Sequence, residues 1–307
     1  MNTSFDVSVI IPTYNRISML EEALQSVFSQ EFDGTVEVIV IDDNSSDKTS
    51  EIVSDKYPEV NLISLTKNIG PSAARNRALS LEKGKYIAFL DSDDLWEKNY
   101  LNVQISSLKG ELKCFSVSNL ILWNTQKNSR RVRVQNPDLK KYTSMLHHFL
   151  VGTFIYTPSS VVFPRQVLED VGFFNEESRF CDDTNFYIRC LLAGYQPKLT
   201  KYPLTIQRKH SEGQITDHKN LRKRLKARLS HVEKFYPLVH KKSNIPSIRK
   251  IYAEVYIDFA RQYLARKSLI NWLKMIWKSA FYSSNYALSS LIADLIKIKR
   301  KQESSID

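Results

Sequence analysis

One stretch constrains this chain more than any other: residues 86–96, which read YIAFLDSDDLW. Its first five residues, Tyr86, Ile87, Ala88, Phe89 and Leu90, are an apolar, strand-forming run that suits a strand covered on both faces. The run stops abruptly at Asp91, Ser92, Asp93 and Asp94. Three carboxylates in four residues repel one another and are costly to desolvate together, so water or a cation has to meet them. On these residues alone two readings stand open. One is an acidic turn capping a helix that begins near Glu97. The other is a pair of oxygen ligands, Asp91 and Asp93, for a hard divalent ion whose shell a diphosphate completes.

The residues before this stretch set its context. Residues 7–12 (VSVIIP) read as a buried strand, and 36–41 (VEVIVI) and 60–65 as the second and third strands. Helices are expected over 19–30, with Ser18 as N-cap and Glu21 closing a capping box, over 49–56 and over 72–81. Strand and helix therefore alternate four times in the first ninety residues, a pattern that implies a parallel sheet covered by helices. In such sheets ligands bind beyond the carboxyl ends of the strands. The polar clusters fall there: Thr13-Tyr14-Asn15-Arg16 after the first strand, Asp42-Asp43-Asn44-Ser45 after the second, and the Asp91–Asp94 row after the fourth. The first turn lacks Gly-x-Gly-x-x-Gly, so it is not the dinucleotide fingerprint.

After Trp96 the pattern changes. A helix is expected over 99–108, then a hairpin of strands 113–123 and 130–135 about the polar turn NTQKNS, a helix over 140–151, a short strand over 160–163 and a helix over 183–192. A boundary is drawn near residue 218, with helices beyond it.

Four motifs, VSVIIPTYNR, VIDDNSSDKT, NIGPSAARNRAL and YIAFLDSDDLW, occur in this order at these intervals. Together they resemble the family 2 nucleotide-sugar glycosyltransferases of the GT-A fold, over roughly the first two-thirds of the chain. The resemblance implies an α/β, GT-A-like catalytic domain over 1–218 with a C-terminal helical extension over 219–307. It implies a hexosyltransferase that uses a UDP-sugar and Mn2+ or Mg2+, and that inverts the anomeric configuration. Thr13 and Tyr14 match the loop that faces uracil, the tyrosine ring being able to stack on the base. Asp43 matches the acceptor of the uracil imide N–H. Arg75 matches the arginine that reaches the diphosphate or braces the acid row. Asp91 and Asp93 match the metal-binding Asp-x-Asp, with Asp93 as direct ligand, Asp91 on the ribose or a metal-bound water, and Ser92 between them at the nucleotide.

Transfer to a hydroxyl also needs a group to take its proton. Asp182 and Asp183 stand where the family carries an acid pair, usually Glu-Asp, at the start of a helix, and Asp183 matches the base of inverting members. An N-cap pair favoured by the helix dipole is the plainer reading, and the two are compatible. Residues 208–214 (RKHSEGQ) resemble a closing Arg-x-His segment, in which His210 would touch the metal or the diphosphate and Arg208 or Lys209 would clamp phosphate. His147 and His148 show no such spacing and read as structural.

Charge is segregated. Residues 1–218 carry 24 Lys and Arg against 27 Asp and Glu, whereas residues 219–307 carry 20 against 6, a net +14. Leu221, Leu225 and Leu229 line one face of a basic helix. Further stripes follow at Leu269, Trp272, Leu273, Ile276, Trp277 and Ala280, and at Leu288, Leu291, Ile292 and Leu295, ending in Lys297, Lys299, Arg300 and Lys301. Basic amphipathic helices with tryptophan suit an anionic membrane surface; packing on the catalytic domain and a homodimer interface are the alternatives. Membrane contact fits a polyprenyl-diphosphate-linked saccharide acceptor in bacterial surface polysaccharide assembly, such as O-antigen or capsule. Three scattered cysteines, no basic-then-apolar start and no run of eighteen apolar residues lead to the expectation of a cytoplasmic protein, peripheral at the inner face of the plasma membrane. Two other readings remain. A sugar nucleotidyltransferase would need a Gly-rich phosphate loop after the first strand, which PTYNR does not supply. A nucleic-acid-binding protein would use the basic tail; the acid clusters argue against it, and no nucleic-acid partner is expected.

Overall fold

The computed structural model describes residues 5–177, 180–210 and 218–303. β1 (Val7–Thr13), α1 (Ile17–Phe28), β2 (Val36–Asp42), α2 (Thr49–Lys56), β3 (Asn61–Ser64), α3 (Pro71–Leu79) and β4 (Tyr86–Phe89) alternate along the first ninety residues. β5 (Asp94–Trp96), α4 (Tyr100–Ser106), β6 (Cys114–Asn124), β7 (Ser129–Arg133), α5 (Met145–Val151), β8 (Val161–Pro164), α6 (Gln166–Val171), α7 (Asp182–Leu192) and β9 (Gln196–Lys209) follow. The helices α8 (Leu221–Lys242), α9 (Ile248–Leu264), α10 (Leu269–Tyr282) and α11 (Ser284–Glu303) come last. By contacts the chain divides into two compact units, 1–136 with 154–214 and 137–153 with 215–307.

The first unit is built on one mixed sheet in the order β3-β2-β1-β4-β8-β6-β9-β5, with β7 also on β6. β3, β2, β1 and β4 are parallel, with Val9 opposite both Val38 and Ala88. Val7, Val9 and Ile11 pack against Leu20, Ala23, Leu24 and Val27 of α1, all buried. Each such aliphatic side chain contributes about 1.5–3 kcal/mol by leaving water. Gly84 precedes β4 because a Cβ there would stand 2.3 Å from the Ser8 backbone nitrogen; its N–H donates to Ser8 Oγ at 2.8 Å.

Beyond β4 the sheet is no longer parallel. β8 runs antiparallel to β4 and β6. β9 lies parallel to β6 and antiparallel to β5, so that Gln207 faces Asp94 and Thr205 faces Trp96. Two elements depart from the sequence reading. β5 begins inside the acid row, where a turn was expected, and β9 is a fourteen-residue strand where none was expected. α1 starts two residues earlier than expected, and Ser18 is not its cap: Arg16 holds the N-cap position without a side-chain bond. The Ile17 N–H is met instead by Asp47 Oδ2 at 3.0 Å, from the loop before α2.

The second unit gathers α5 onto the C-terminal helices. Ser144 caps α5 by accepting from the His147 N–H. His147 Nε2 pairs with Glu254 Oε2 at 2.5 Å, both buried, and Arg228 donates to the Phe149 carbonyl at 2.8 Å. Leu221, Leu225, Val232, Phe235 and Val239 of α8 are buried, so that apolar face belongs to a core. α10 differs: Leu269, Ile270, Leu273, Trp277 and Phe281 are exposed. Leu288 and Ile292 of α11 are exposed as well. The side chains of Leu295, Lys297, Lys299, Arg300 and Lys301, and residues 211–214 of the closing segment, lie outside the described residues. Among the described residues no helix is long and apolar enough to cross a membrane. Cys114, Cys181 and Cys190 are free thiols.

Candidate active site

The carboxyl ends of β1, β2 and β4 bring three polar segments to one edge of the sheet. At the end of β1, the Thr13 carbonyl accepts the Asp43 N–H at 2.9 Å. The Thr13 hydroxyl is buried, with no hydrogen-bond partner among the described residues. Tyr14 is 47% exposed, its ring open for stacking. Asn15, at φ 51°, reaches across to the loop after β2: its N–H donates to Ser45 Oγ and its Oδ1 accepts the Ser46 N–H.

Asp42 and Asp43 are buried and held by neutral donors. Asp42 Oδ1 accepts the Ser45 N–H at 3.0 Å, and its Oδ2 accepts from the Ser50 hydroxyl. The two Asp43 oxygens accept the backbone N–H groups of Ile69 (2.7 Å) and Gly70 (2.8 Å). A carboxylate offers about four acceptor sites, so Asp43 keeps capacity for a base N–H. Gly70 stands at φ 89°, a left-handed geometry that glycine adopts without strain, and α3 starts directly after it.

In the row after β4, Asp91 and Asp93 are met by arginines and a histidine, Asp94 by neutral donors. Asp91 Oδ1 accepts from Arg75 Nη2 at 2.5 Å and Oδ2 from the Thr157 hydroxyl at 3.2 Å. Asp93 Oδ2 meets Arg16 Nη1 at 3.1 Å and His210 Nε2 at 2.9 Å. Asp94 is buried, accepting from Thr157 (3.0 Å), Ser159 (2.7 Å) and the Arg208 N–H (3.3 Å). Burial pushes the Asp91 carboxyl above its ordinary range; Arg75 opposes the rise and Asp93 adds to it. Asp94 is pushed up further, by burial and then by the charges of Asp93 and Asp91. Asp93 goes the other way: burial would raise it, but the His210 bond and the Arg16 charge outweigh burial and hold it low.

Arg75 joins this row to the late acid pair. It is 4% exposed, lies 3.8 Å from Asp182 Oδ2, and sits over the rings of Phe89 and Phe174. Burial disfavours its charge, yet Asp91, Asp182 and Asp183 hold its pKa above the usual value. Ser72 of α3 donates to Asp182 Oδ2, tying the starts of α3 and α7 together. Asp183, in the first turn of α7, accepts the Thr184 N–H at 2.6 Å. Asp91, Arg75, Asp182 and Asp183 therefore form one electrostatic group, although the two acid pairs are about ninety residues apart in sequence.

Several contributors have no role in the sequence reading. Arg16, Thr157 and Ser159 reach the row from distant segments. Ser92 is buried, its carbonyl turned to Arg208. Arg208 is not aimed at a phosphate: it is buried, with Nε on the Asp93 carbonyl, Nη1 on Glu22 and Nη2 on the Met19 carbonyl. It is a brace between α1 and the acid row. Among the described residues no three His, Cys, Asp or Glu side chains form a ready ion cage. The donor set does suit a hard ion: Asp93 oxygen and His210 nitrogen stand 2.9 Å apart with Asp91 as neighbour, and diphosphate oxygens are the natural completion.

Comparison with known proteins gives the family and the fold. Residues 8–172 match the family described as Glycosyl transferase family 2. An Escherichia coli UDP-Glc:α-D-GlcNAc-diphosphoundecaprenol β-1,3-glucosyltransferase, WfaP, is 39% identical over 115 residues, 37% of this chain and 45% of that protein. The chain spans only part of its curated relatives, reaching 59% of a Bacillus subtilis protein named for teichuronic acid biosynthesis. Among solved structures, S. aureus TarS 1–349 superposes with a TM-score of 0.60 at 20% identity, over 92% of this chain and 82% of TarS. TarS is also known with UDP-GlcNAc. A mannosyltransferase from Pyrobaculum calidifontis, solved with GDP-Man and Mn2+, gives 0.57 at 20% identity over 95% and 87%. At these identities the two structures establish the shared GT-A fold.

Proposed function

The chain belongs to glycosyl transferase family 2, and from that premise we propose that it moves a sugar from a UDP-sugar to a hydroxyl of a lipid-linked saccharide, inverting the anomeric centre and using a divalent ion. One observation supports this most: buried Arg75 bridges Asp91 and the Asp182–Asp183 pair. The acid row and the acid pair that contains the proposed base are thereby brought to one guanidinium, close enough to serve one reacting centre.

On this reading Thr13 and Tyr14 receive the uracil and Asp43 accepts its imide N–H. Asp93, with Asp91 and His210, holds Mn2+ or Mg2+, which supplies Lewis-acid stabilisation of charge growing on the departing diphosphate. Arg75 keeps Asp91 in place. Asp183 takes the proton from the attacking hydroxyl. A UDP donor is favoured by the UDP-GlcNAc complex of TarS, and a diphosphate-lipid acceptor by the name of WfaP.

The exposed face of α10 extends the proposal to an anionic membrane surface, where such an acceptor resides. Trp277 is 69% exposed and Ile270 71%, in a segment with a net charge of +14. A homodimer is the competing use of this face. Sedimentation with anionic vesicles, against mass measurement in their absence, separates the two.

The test of the whole reading is a screen of UDP-, GDP- and dTDP-sugars for transfer or hydrolysis with Mn2+, Mg2+ or chelator, using Asp93→Asn and Asp183→Asn as controls. Metal-dependent turnover of a UDP-sugar, lost in Asp93→Asn, is expected. Turnover that ignores both chelator and substitution would overturn it.

A further inference from the structure

We propose that Arg133, stacked on Tyr156 beside the acid row, is the anion subsite that takes the phosphate of a diphosphate-linked acceptor; this rests on the transfer reading above. Arg133 Cζ lies 3.4 Å from the centroid of the Tyr156 ring. The side chain is half-buried, yet among the described residues it makes no hydrogen bond and no ion pair. A guanidinium lying flat on a ring keeps its in-plane N–H donors turned outward, in the fork that matches phosphate oxygens.

The platform is fixed and close to the chemistry. The Tyr156 N–H donates to Gln135 Oε1 at 2.6 Å. Gln135 is buried two residues after Arg133; its N–H donates to Asn119 Oδ1 at 2.8 Å and its Nε2 to the Ser118 carbonyl and Ser160 Oγ. One buried amide thus sets the arginine-bearing strand against the tyrosine. Thr157, the next residue after Tyr156, places its hydroxyl on Asp91 and Asp94.

Charge matching contrasts this strand with the arginines around the acid row. Arg16, Arg75, Arg165 and Arg208 each have a carboxylate partner, Asp93, Asp91, Glu82 and Glu22 respectively. β7 carries Arg130, Arg131 and Arg133, and none of the three has one among the described residues. Arg130 is stacked as well, 4.5 Å over Trp123. Other structural arginines, Arg189 and Arg228, spend their donors on backbone carbonyls; Arg130 and Arg133 of β7 are instead presented on aromatic rings with no carboxylate partner among the described residues, a form suited to phosphate.

The test uses the full chain with UDP and Mn2+ at saturation, so that the donor site is filled. Undecyl diphosphate, inorganic pyrophosphate and undecyl glucoside are then titrated by calorimetry. Undecyl diphosphate should bind saturably, about tenfold or more weaker in Arg133→Ala and by an intermediate amount in Arg133→Lys, which keeps charge but loses the fork. UDP affinity should stay within about twofold in both variants, which also reports that they fold. Pyrophosphate binding that falls in parallel would assign the contact to the phosphates themselves; tight pyrophosphate binding unaffected by Arg133→Ala would overturn the assignment. So would an unchanged undecyl diphosphate affinity in Arg133→Ala, an equal loss of UDP affinity, or equally tight binding of the uncharged glucoside. If UDP itself fails to bind the wild-type chain, the transfer reading falls first and this subsite falls with it; if UDP binds and only the lipid diphosphate does not, this subsite alone is wrong.

Discussion

Two acid clusters stand at the ends of β2 and β4, on either side of β1 in the same sheet, and they are stabilised in opposite ways. Asp42 and Asp43, after β2, are met by backbone N–H groups and serine hydroxyls. Asp91 and Asp93, after β4, are met by Arg75, Arg16 and His210. Neutral donors fix a carboxylate in place and leave its charge for a ligand to read as an acceptor. Cations balance the charge itself, and a metal ion can substitute for that balance. On the proposed reading the first pair serves as scaffold and base reader, and the second as the charge centre.

The largest effect that would break this contrast is in the second cluster. Asp93→Asn removes the charge that His210 and Arg16 share, and transfer should fall by about 10²–10⁴-fold, several kcal/mol of transition-state stabilisation. Steady-state transfer rates check this; a loss under tenfold would make the row structural. Asp183→Asn should lower kcat by about 10²–10³-fold while leaving UDP affinity nearly unchanged, because a base acts on the acceptor proton and not on the nucleotide. A matching loss of UDP affinity would move Asp183 out of the base role.

The scaffold cluster should respond differently. Asp43→Asn replaces one oxygen that accepts from Ile69 or Gly70 with a donor, so the loop before α3 loses a charge-assisted bond worth about 2 kcal/mol. The expected outcome is a lower denaturation midpoint together with weaker UDP binding, against the nearly pure activity loss of Asp93→Asn. Stability unchanged in Asp43→Asn would erase the distinction.

A last effect, confined to stability above about pH 5, concerns a carboxylate with too little of either kind of support. Glu82 is buried, with Arg165 at 3.2 Å and Oε2 unpartnered among the described residues. Burial pushes its carboxyl up to about 7. The folded state then holds a proton that the unfolded chain has released, so this group costs stability as pH rises from about 4.5 to about 7. Glu82→Gln should remove that slope, raising the denaturation midpoint at pH 8 relative to wild type by an amount equivalent to at most about 3 kcal/mol, with little change at pH 4. Thermal melts at the two pH values check it.

The same contrast explains what the sequence reveals. Parallel strands covered on both faces must be short apolar runs, so β1, β2 and β4 stand out as VSVII, VEVIVI and YIAFL, with their polar clusters beside them. β9 hides because it is half exposed, carries two prolines and reads QPKLTKYPLTIQRK, with no simple alternation. β5 hides because three residues, one of them an acid of the row itself, form it. In the site, the motif acids are visible because the chemistry needs their type. Arg16, Thr157 and Ser159 are not, because only the folded sheet brings them across 66 to 77 residues to Asp91 and Asp93. Arg208 was visible but misread: an arginine two residues from a histidine looks like a phosphate clamp until Glu22 and the Met19 carbonyl are found against it.

The central claim is that the row after β4 holds a divalent ion together with a nucleoside diphosphate. Its most direct test is a calorimetric titration of UDP into the full chain, with Mn2+ and with chelator, on wild type and Asp93→Asn. The account predicts tight binding to wild type only when Mn2+ is present, and no gain from Mn2+ in the variant. UDP binding equally well to both proteins, with or without the ion, would contradict it.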